Sequence, residues 1–168
     1  MRYAPVALAL SLVVGVTGSM GVARSTAPAD PRVESLLKDG RAALAKGEAG
    51  LATDSFEAAL VIDPASNAAL LGLADAARRE GLQGKAIHYY REVLSREPNN
   101  VVAISGEGGA MVEKGAVEKA KRNLTRLEGL CGKGCSETAE LSAAISRGPA
   151  PKVLSAEAVT SDSKIENN

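Results

Sequence analysis

Apolar residues along the middle of the chain stand four positions apart, which places them on one face of a helix. Ala52 and Phe56 form one such pair, and Ala86 and Tyr90 form another; residues at this spacing are neighbours on a helix surface. Ala, Leu, Glu, Lys and Arg are abundant, and these residues favour helices. The pattern predicts an all-α fold with helices over about 31–46, 49–62, 66–80, 83–96, 99–114, 117–130 and 137–147.

The pattern returns every 34 residues, and each register of the repeat keeps residues of similar kind. Registers that run in step indicate copies of one helical hairpin, here three units at about 33–66, 67–100 and 101–132. The registers are Leu36, Leu70 and Ile104; Gly40, Ala74 and Gly108; Gly47, Gly81 and Gly115; Ala52, Ala86 and Ala120; Phe56, Tyr90 and Leu124; Ala59, Val93 and Leu127; and Pro64 and Pro98, where the third unit departs with Gly132.

Small residues in the repeat explain how the two helices of a unit come together. Gly40 lies one turn after the large residue Leu36, and its size lets the second helix approach closely. Gly47 stands where the first helix must stop, because glycine tolerates the left-handed conformation that ends helices. Pro64 closes the unit, since proline cannot continue a helix interior.

The order of these residues resembles the tetratricopeptide repeat, in which a large residue is followed by Gly or Ala, then a small residue, an aromatic and Pro. The resemblance covers about residues 32–132. Leu36 stands where the family usually has Trp, Asp39 replaces the usual Leu, and Ala43 and Ala77 replace the usual Tyr. The resemblance implies a solenoid of helical hairpins.

One further helix, about 137–147, is expected to cap the third unit, so that the folded domain spans 32–147. Ser136 is the expected N-cap of this helix, and Leu141 and Ile145 would cover the open end of the third unit. Within that unit, Gly106 and Gly109 have no role in the repeat. Because an interior glycine costs about 1 kcal/mol relative to alanine, they predict a mobile segment over residues 104–112.

The resemblance implies a concave face that is lined by the first helix of each unit and holds a segment of another protein. Leu37 and Gly72 occupy positions where chaperone-binding members clamp a terminal carboxylate with polar groups, so such a clamp is disfavoured. An apolar peptide or an amphipathic helix fits better, although the leucines would equally serve to pack the units together. The implied groove residues are Leu37, Arg41, Leu44, Leu71, Asp75, Arg78, Ser105, Gly109 and Val112.

The chain begins with a segment that we interpret as a signal peptide, residues 1–23. Arg2 precedes an apolar run from Ala4 to Val16, and Gly21-Val22-Ala23 fits a cleavage site. The alternative is an uncleaved inner-membrane anchor over residues 4–22. Residues 24–31 would be a linker and residues 148–168 a disordered tail. We therefore expect an exported, periplasmic protein.

Two cysteines, Cys131 and Cys135, stand close together in the sequence. In an exported protein such a pair is expected to form a disulfide, which would fix the turn before the capping helix and contribute about 2 kcal/mol. The alternatives are reduced thiols, or redox or metal chemistry. Their spacing differs from the thioredoxin type, and a metal would need two further ligands that nothing nearby in the sequence supplies.

Charge and composition narrow the classes of function. The chain has 20 Lys and Arg against 20 Asp and Glu and one His, so we expect neither a nucleic-acid partner nor a histidine-based metal site. No cofactor, catalytic residue or small-molecule substrate is predicted. The favoured interpretation is a protein-interaction scaffold of the bacterial periplasm or envelope that takes part in secretion or pilus assembly. The alternative is a redox-active or redox-sensing module that uses Cys131 and Cys135.

Overall fold

The computed structural model describes residues 30–149, which form seven α-helices joined by short turns. They confirm the seven predicted helices, and each bound agrees with its prediction to within two residues. The predicted signal peptide, most of the linker and most of the tail lie outside the described residues. The helices are α1 (Pro31–Lys46), α2 (Ala49–Ile62), α3 (Asn67–Arg79), α4 (Gln83–Arg96), α5 (Val101–Glu113), α6 (Val117–Cys131) and α7 (Ser136–Arg147).

The first helix of each hairpin begins with a side-chain cap. Asp30, Ser66 and Asn100 accept hydrogen bonds from backbone N–H groups in the first turns of α1, α3 and α5 at 2.9, 3.3 and 2.9 Å. Such caps satisfy N–H groups that have no partner within the helix. Pro31 follows Asp30 in the first turn of α1, as predicted. Local sequence therefore sets where each hairpin starts.

The glycine register ends these same helices. Gly47, Gly81 and Gly115 have φ angles of +81°, +76° and +87°, which lie in the left-handed region that only glycine enters without strain. The predicted conformation is confirmed at all three positions, so each hairpin turns at the same point of the repeat.

The first turn of α7 differs from the prediction. The helix begins at Ser136 itself, and the capping position falls on Cys135, which provides no side-chain cap. The Ser136 hydroxyl instead donates to the Glu137 carboxylate at 2.9 Å. The expected cap is wrong because Ser136 is already helical, and a helical residue cannot direct its side chain at the N–H groups of its own first turn.

The helices form two layers. In the inner layer α1 contacts α3, and α3 contacts α5. Within residues 30–149, the outer helices α2, α4 and α6 make no contacts of this kind with one another. Inner helices that lie closer together than outer ones give a curved stack whose concave side is formed by α1, α3 and α5. The last helix, α7, packs on α5 and α6 at the end of this stack.

Several of the repeat registers lie in the core. Ala52, Ala86 and Ala120 have no exposed surface, and their size allows the two helices of each unit to pack closely. Phe56 and Tyr90 follow them and are each only 1% exposed. At the open end, Leu141 is also 1% exposed and Ile145 packs against the same cluster. The predicted role of these two residues in covering the third unit is confirmed.

The glycines of α5 all have a packing reason. A Cβ atom on Gly106 would overlap the ring of Tyr90, one on Gly108 would lie 2.6 Å from a methyl group of Leu141, and one on Gly109 would lie 2.8 Å from Nη2 of Arg78. The expectation that Gly106 and Gly109 have no packing role is wrong, because it considered the repeat without its neighbours. The reason for predicting a mobile segment in the third unit therefore no longer holds.

Candidate interaction groove

A polar cleft lies on the concave side of the stack, between α3, α5 and α7. Three adjoining cavities of about 290, 520 and 270 Å³ form it, and Arg78 and Glu140 border all three. We call this feature the concave cleft. Its other lining residues include Asp75, Ser105 and Gly109 from α3 and α5, and Glu137 and Arg147 from α7.

Four of the predicted groove residues meet in the concave cleft: Asp75, Arg78, Ser105 and Gly109. Arg41 lies apart from them, beside a separate depression of about 440 Å³ on the surface of α1. The four therefore come from the second and third units, and the cleft is centred on them and not on α1.

The predicted leucine and valine lining of the groove is not what the structure shows. Leu37, Leu44 and Val112 are buried in the core, with 6%, 7% and 2% of their surface exposed. Leu71 is half-buried and packs against the core cluster. These side chains join the units together, since their helices lie close to their neighbours. The expected groove, apolar with scattered charge, is corrected to a polar one.

Two hydrogen-bonded groups of side chains form the floor of the concave cleft. The Tyr90 hydroxyl donates to the Asp75 carboxylate at 2.5 Å. Arg78 donates to both carboxylate oxygens of Glu113 at 2.5 and 3.3 Å, and Gln83 also donates to Glu113 at 3.2 Å. The two-pronged contact between Arg78 and Glu113 joins α3 to α5. Such bidentate pairs fix geometry better than single contacts do.

Ionisation states along this floor follow from its burial and charges. Burial raises the pKa of Tyr90 above its usual range, and the neighbouring Asp75 charge raises it further. Burial alone would lower the pKa of Arg78, but its hydrogen bonds and the charge of Glu113 outweigh burial and raise that pKa. Tyr90 is therefore a neutral hydrogen-bond donor and Arg78 a permanent cation at neutral pH.

Two glycines bring large side chains to this floor. Gly106 leaves space for the Tyr90 ring, so that a residue of the outer helix α4 reaches the concave side. Gly109 leaves space for the Arg78 guanidinium, which lies across the surface of α5. Any larger residue at either position would have to displace the side chain that defines the cleft.

The sequence did not predict that residues of α7 line the concave cleft. Glu137 and Glu140 line one wall of the concave cleft, and the Ser105 hydroxyl donates to the Glu137 carbonyl at 3.0 Å. A signal was present: Glu140 lies 34 residues after Gly106, and Ala143 lies 34 residues after Gly109. The repeat register continues through α7, so its groove positions follow from the same arithmetic.

At the centre of the concave cleft, carboxylates outnumber the cationic side chains that are not already paired. Asp75, Glu137 and Glu140 border the same cavity of about 270 Å³, where Arg78 is the cationic neighbour and is already paired with Glu113. This centre can accept hydrogen bonds and attract positive charge. Arg147 lies at the edge of an adjoining cavity of about 290 Å³.

The cysteine pair lies beside the start of α7. Cys131 and Cys135 have their sulfur atoms at bonding distance, and the Thr138 hydroxyl lies 3.0 Å from Sγ of Cys135 and 3.5 Å from Sγ of Cys131. Glu137 joins them in a group of possible metal ligands within 4.8 Å. Glu137 was not predicted as a third ligand from the sequence. The two sulfur atoms are bonded to each other, however, and are therefore not available to a metal.

Between residues 30 and 149, every helix is too short or too polar to cross a bilayer.

Solved structures resemble this chain, whereas no protein-family profile and no curated protein matches it. The Sgt2 TPR domain from Aspergillus fumigatus is 28% identical with a TM-score of 0.64, covering 79% of this chain and 95% of that one. The first TPR of Spaghetti (RPAP3), bound to the HSP90 peptide SRMEEVD, is 20% identical with a TM-score of 0.62, covering 70% and 92%. PcrH, in complex with the chaperone binding region of PopB, is 18% identical with a TM-score of 0.61, covering 68% and 93%.

Proposed function

Because the chain has the fold of a tetratricopeptide-repeat domain, we propose that it is a protein-interaction scaffold whose concave cleft holds a segment of a partner protein. The observation that carries the proposal is the row of adjoining cavities between α3, α5 and α7. Two of the similar solved structures hold a segment of another protein, which supports the same use of the fold here. The proposal involves no catalytic step and no cofactor.

The charge of the concave cleft defines the chemistry of the segment. Asp75, Glu137 and Glu140 surround one cavity, and Arg78 is held by Glu113. A lysine or arginine side chain placed there would meet three carboxylates, and cleft walls focus such attraction. Val102 is 48% exposed beside the same cavity and offers an apolar contact. The segment that fits best therefore has a basic residue next to an apolar one.

Selection from a library of random dodecapeptides tests this assignment with the full chain as bait. We expect the selected peptides to be enriched in Lys or Arg beside an apolar residue. Changing Asp75→Asn together with Glu140→Gln should weaken their binding about tenfold or more, because close charge pairs across an interface have coupling energies of about 1.5–7 kcal/mol. Fluorescence anisotropy of a labelled selected peptide gives the affinities.

A matched variant distinguishes the cleft from general charge. Asp54→Asn together with Glu57→Gln removes two exposed carboxylates from the outer helix α2 and should leave the affinity unchanged. The proposal fails if no peptide is selected, or if both double variants reduce binding equally.

Export to the periplasm or envelope is the location that we propose for this scaffold. The apolar run from Ala4 to Val16 and the small residues up to Ala23 support it, as does a disulfide pair, which is typical of oxidising compartments. Partners in secretion or pilus assembly are proposed as the context. Expression in a bacterium and N-terminal sequencing should find Arg24 first; an intact N-terminus in the membrane fraction would favour the anchor over residues 4–22.

A further inference from the structure

We propose that the Cys131–Cys135 disulfide is a redox-controlled latch that holds α7 against the concave cleft, so that reduction loosens α7 and weakens partner binding. The effect on α7 follows from the structure of the chain alone. The effect on binding rests on the proposed function.

The latch lies where it can act on the cleft. Cys135 directly precedes α7, and Glu137 and Glu140 are in the first two turns of that helix. A change in the position of Cys135 therefore reaches the carboxylates of the cleft wall first. On the other side, Cys131 is the last residue of α6, whose Ala120 and Leu127 are buried in the core. The bond thus ties the terminal helix to a helix that is anchored in the core.

The other contacts at this end of α7 are non-covalent, and they include the buried side chain of Thr138 in its first turn. The Ser105 hydroxyl donates to the Glu137 carbonyl, and Leu141 packs one turn further along the helix. Among the described helices, α7 contacts α5 and α6 and no others. A terminal helix with one neighbouring unit is where a repeat protein frays first. A covalent bond at such a position adds to this packing by limiting how far the start of the helix can move away.

A reductant can reach the bond. Cys131 is exposed and Cys135 is half-buried against Thr138. A thiolate of an external dithiol would attack Sγ of Cys131, forming a mixed disulfide as the bond to Cys135 breaks. The electron pair leaves on Cys135, whose thiolate lies at the positive N-terminus of α7 and then takes up a proton. The second thiolate of the dithiol attacks the mixed disulfide and releases Cys131, so that the dithiol is oxidised and the protein gains two electrons and two protons.

Amide hydrogen exchange of the full chain tests the latch without any partner. With the disulfide intact, residues 136–147 should exchange about 30-fold more slowly than after reduction with a dithiol, the factor expected from closing a loop this short. Residues 83–96 in α4 should exchange equally in both states. The double variant Cys131→Ser and Cys135→Ser should exchange like the reduced protein and ignore the reductant. Equal exchange of α7 in the oxidised and reduced proteins would overturn the proposal.

Peptide affinity tests the connection to the cleft. A peptide selected on the oxidised protein should bind several-fold more weakly after reduction, and the double serine variant should bind weakly in both conditions. Altered exchange with unchanged affinity would overturn the connection between latch and cleft. If no peptide binds even the oxidised protein, the proposed function fails, and the exchange comparison still decides the latch.

Discussion

Replacing Phe56 by alanine should lower the free energy of unfolding by about 3–5 kcal/mol, the range found when large buried aromatic side chains are removed. Phe56 is 1% exposed, and its ring lies between Gly40 and Gly72, where a Cβ atom on either glycine would come within 2.5 Å of it. The two flanking glycines have no side chains that could move into the space. Urea denaturation followed by circular dichroism measures the loss.

Leu51 provides the matched control on the same helix. It is 58% exposed, so Leu51→Ala should change the free energy of unfolding by no more than about 0.5 kcal/mol. If Phe56→Ala costs less than twice as much as this control, the packing of Phe56 between the two glycines does not hold the first two units together.

Replacing Leu141 by alanine should cost about 2–4 kcal/mol, because this side chain is 1% exposed and fills the space above Gly108. The loss should appear mainly in α7, since the terminal helix of a repeat array can open without the rest. We expect faster amide exchange over residues 136–147 and, under the proposed function, weaker peptide binding, because Glu137 and Glu140 belong to the same helix.

Ser142 is the neighbouring control, exposed on the same helix. Ser142→Ala should leave both exchange and affinity within error of the unchanged protein. A Leu141→Ala variant whose α7 remains as protected as before would contradict the expected role of Leu141 and show that other contacts hold this helix.

The sequence predicted the parts of the fold that depend on local chemistry. Gly47, Gly81 and Gly115 end helices wherever the chain places them, because only glycine enters the left-handed region without strain. Asp30 caps α1 because its carboxylate lies within reach of the next N–H groups. Features of this kind need no knowledge of distant residues, so a repeat period is enough to place them.

The concave cleft was harder to predict because it depends on how deeply helices pack. Leu37 and Val112 occupy positions that face the groove in the family pattern, yet the helices lie close enough to bury them. Conversely, Gly109 becomes useful only because Arg78 lies over it, a contact between residues 31 positions apart. Glu140 was missed because the repeat was not followed into α7, whereas Glu137 stands in register with the buried Ala103 and does not follow from the repeat. How deeply two helices pack depends on the side chains of both helices. The repeat pattern of the sequence does not give this depth.

The arrangement of neighbours in the stack also determines how this protein can be built. Every helix contact within residues 30–149 joins helices that are adjacent along the chain or separated by one other helix. No step in assembly therefore requires distant stretches of polypeptide to find each other, and loop-closure entropy stays small at each stage. A hairpin emerging from the ribosome can settle on the one made before it, and α7 is the last to arrive.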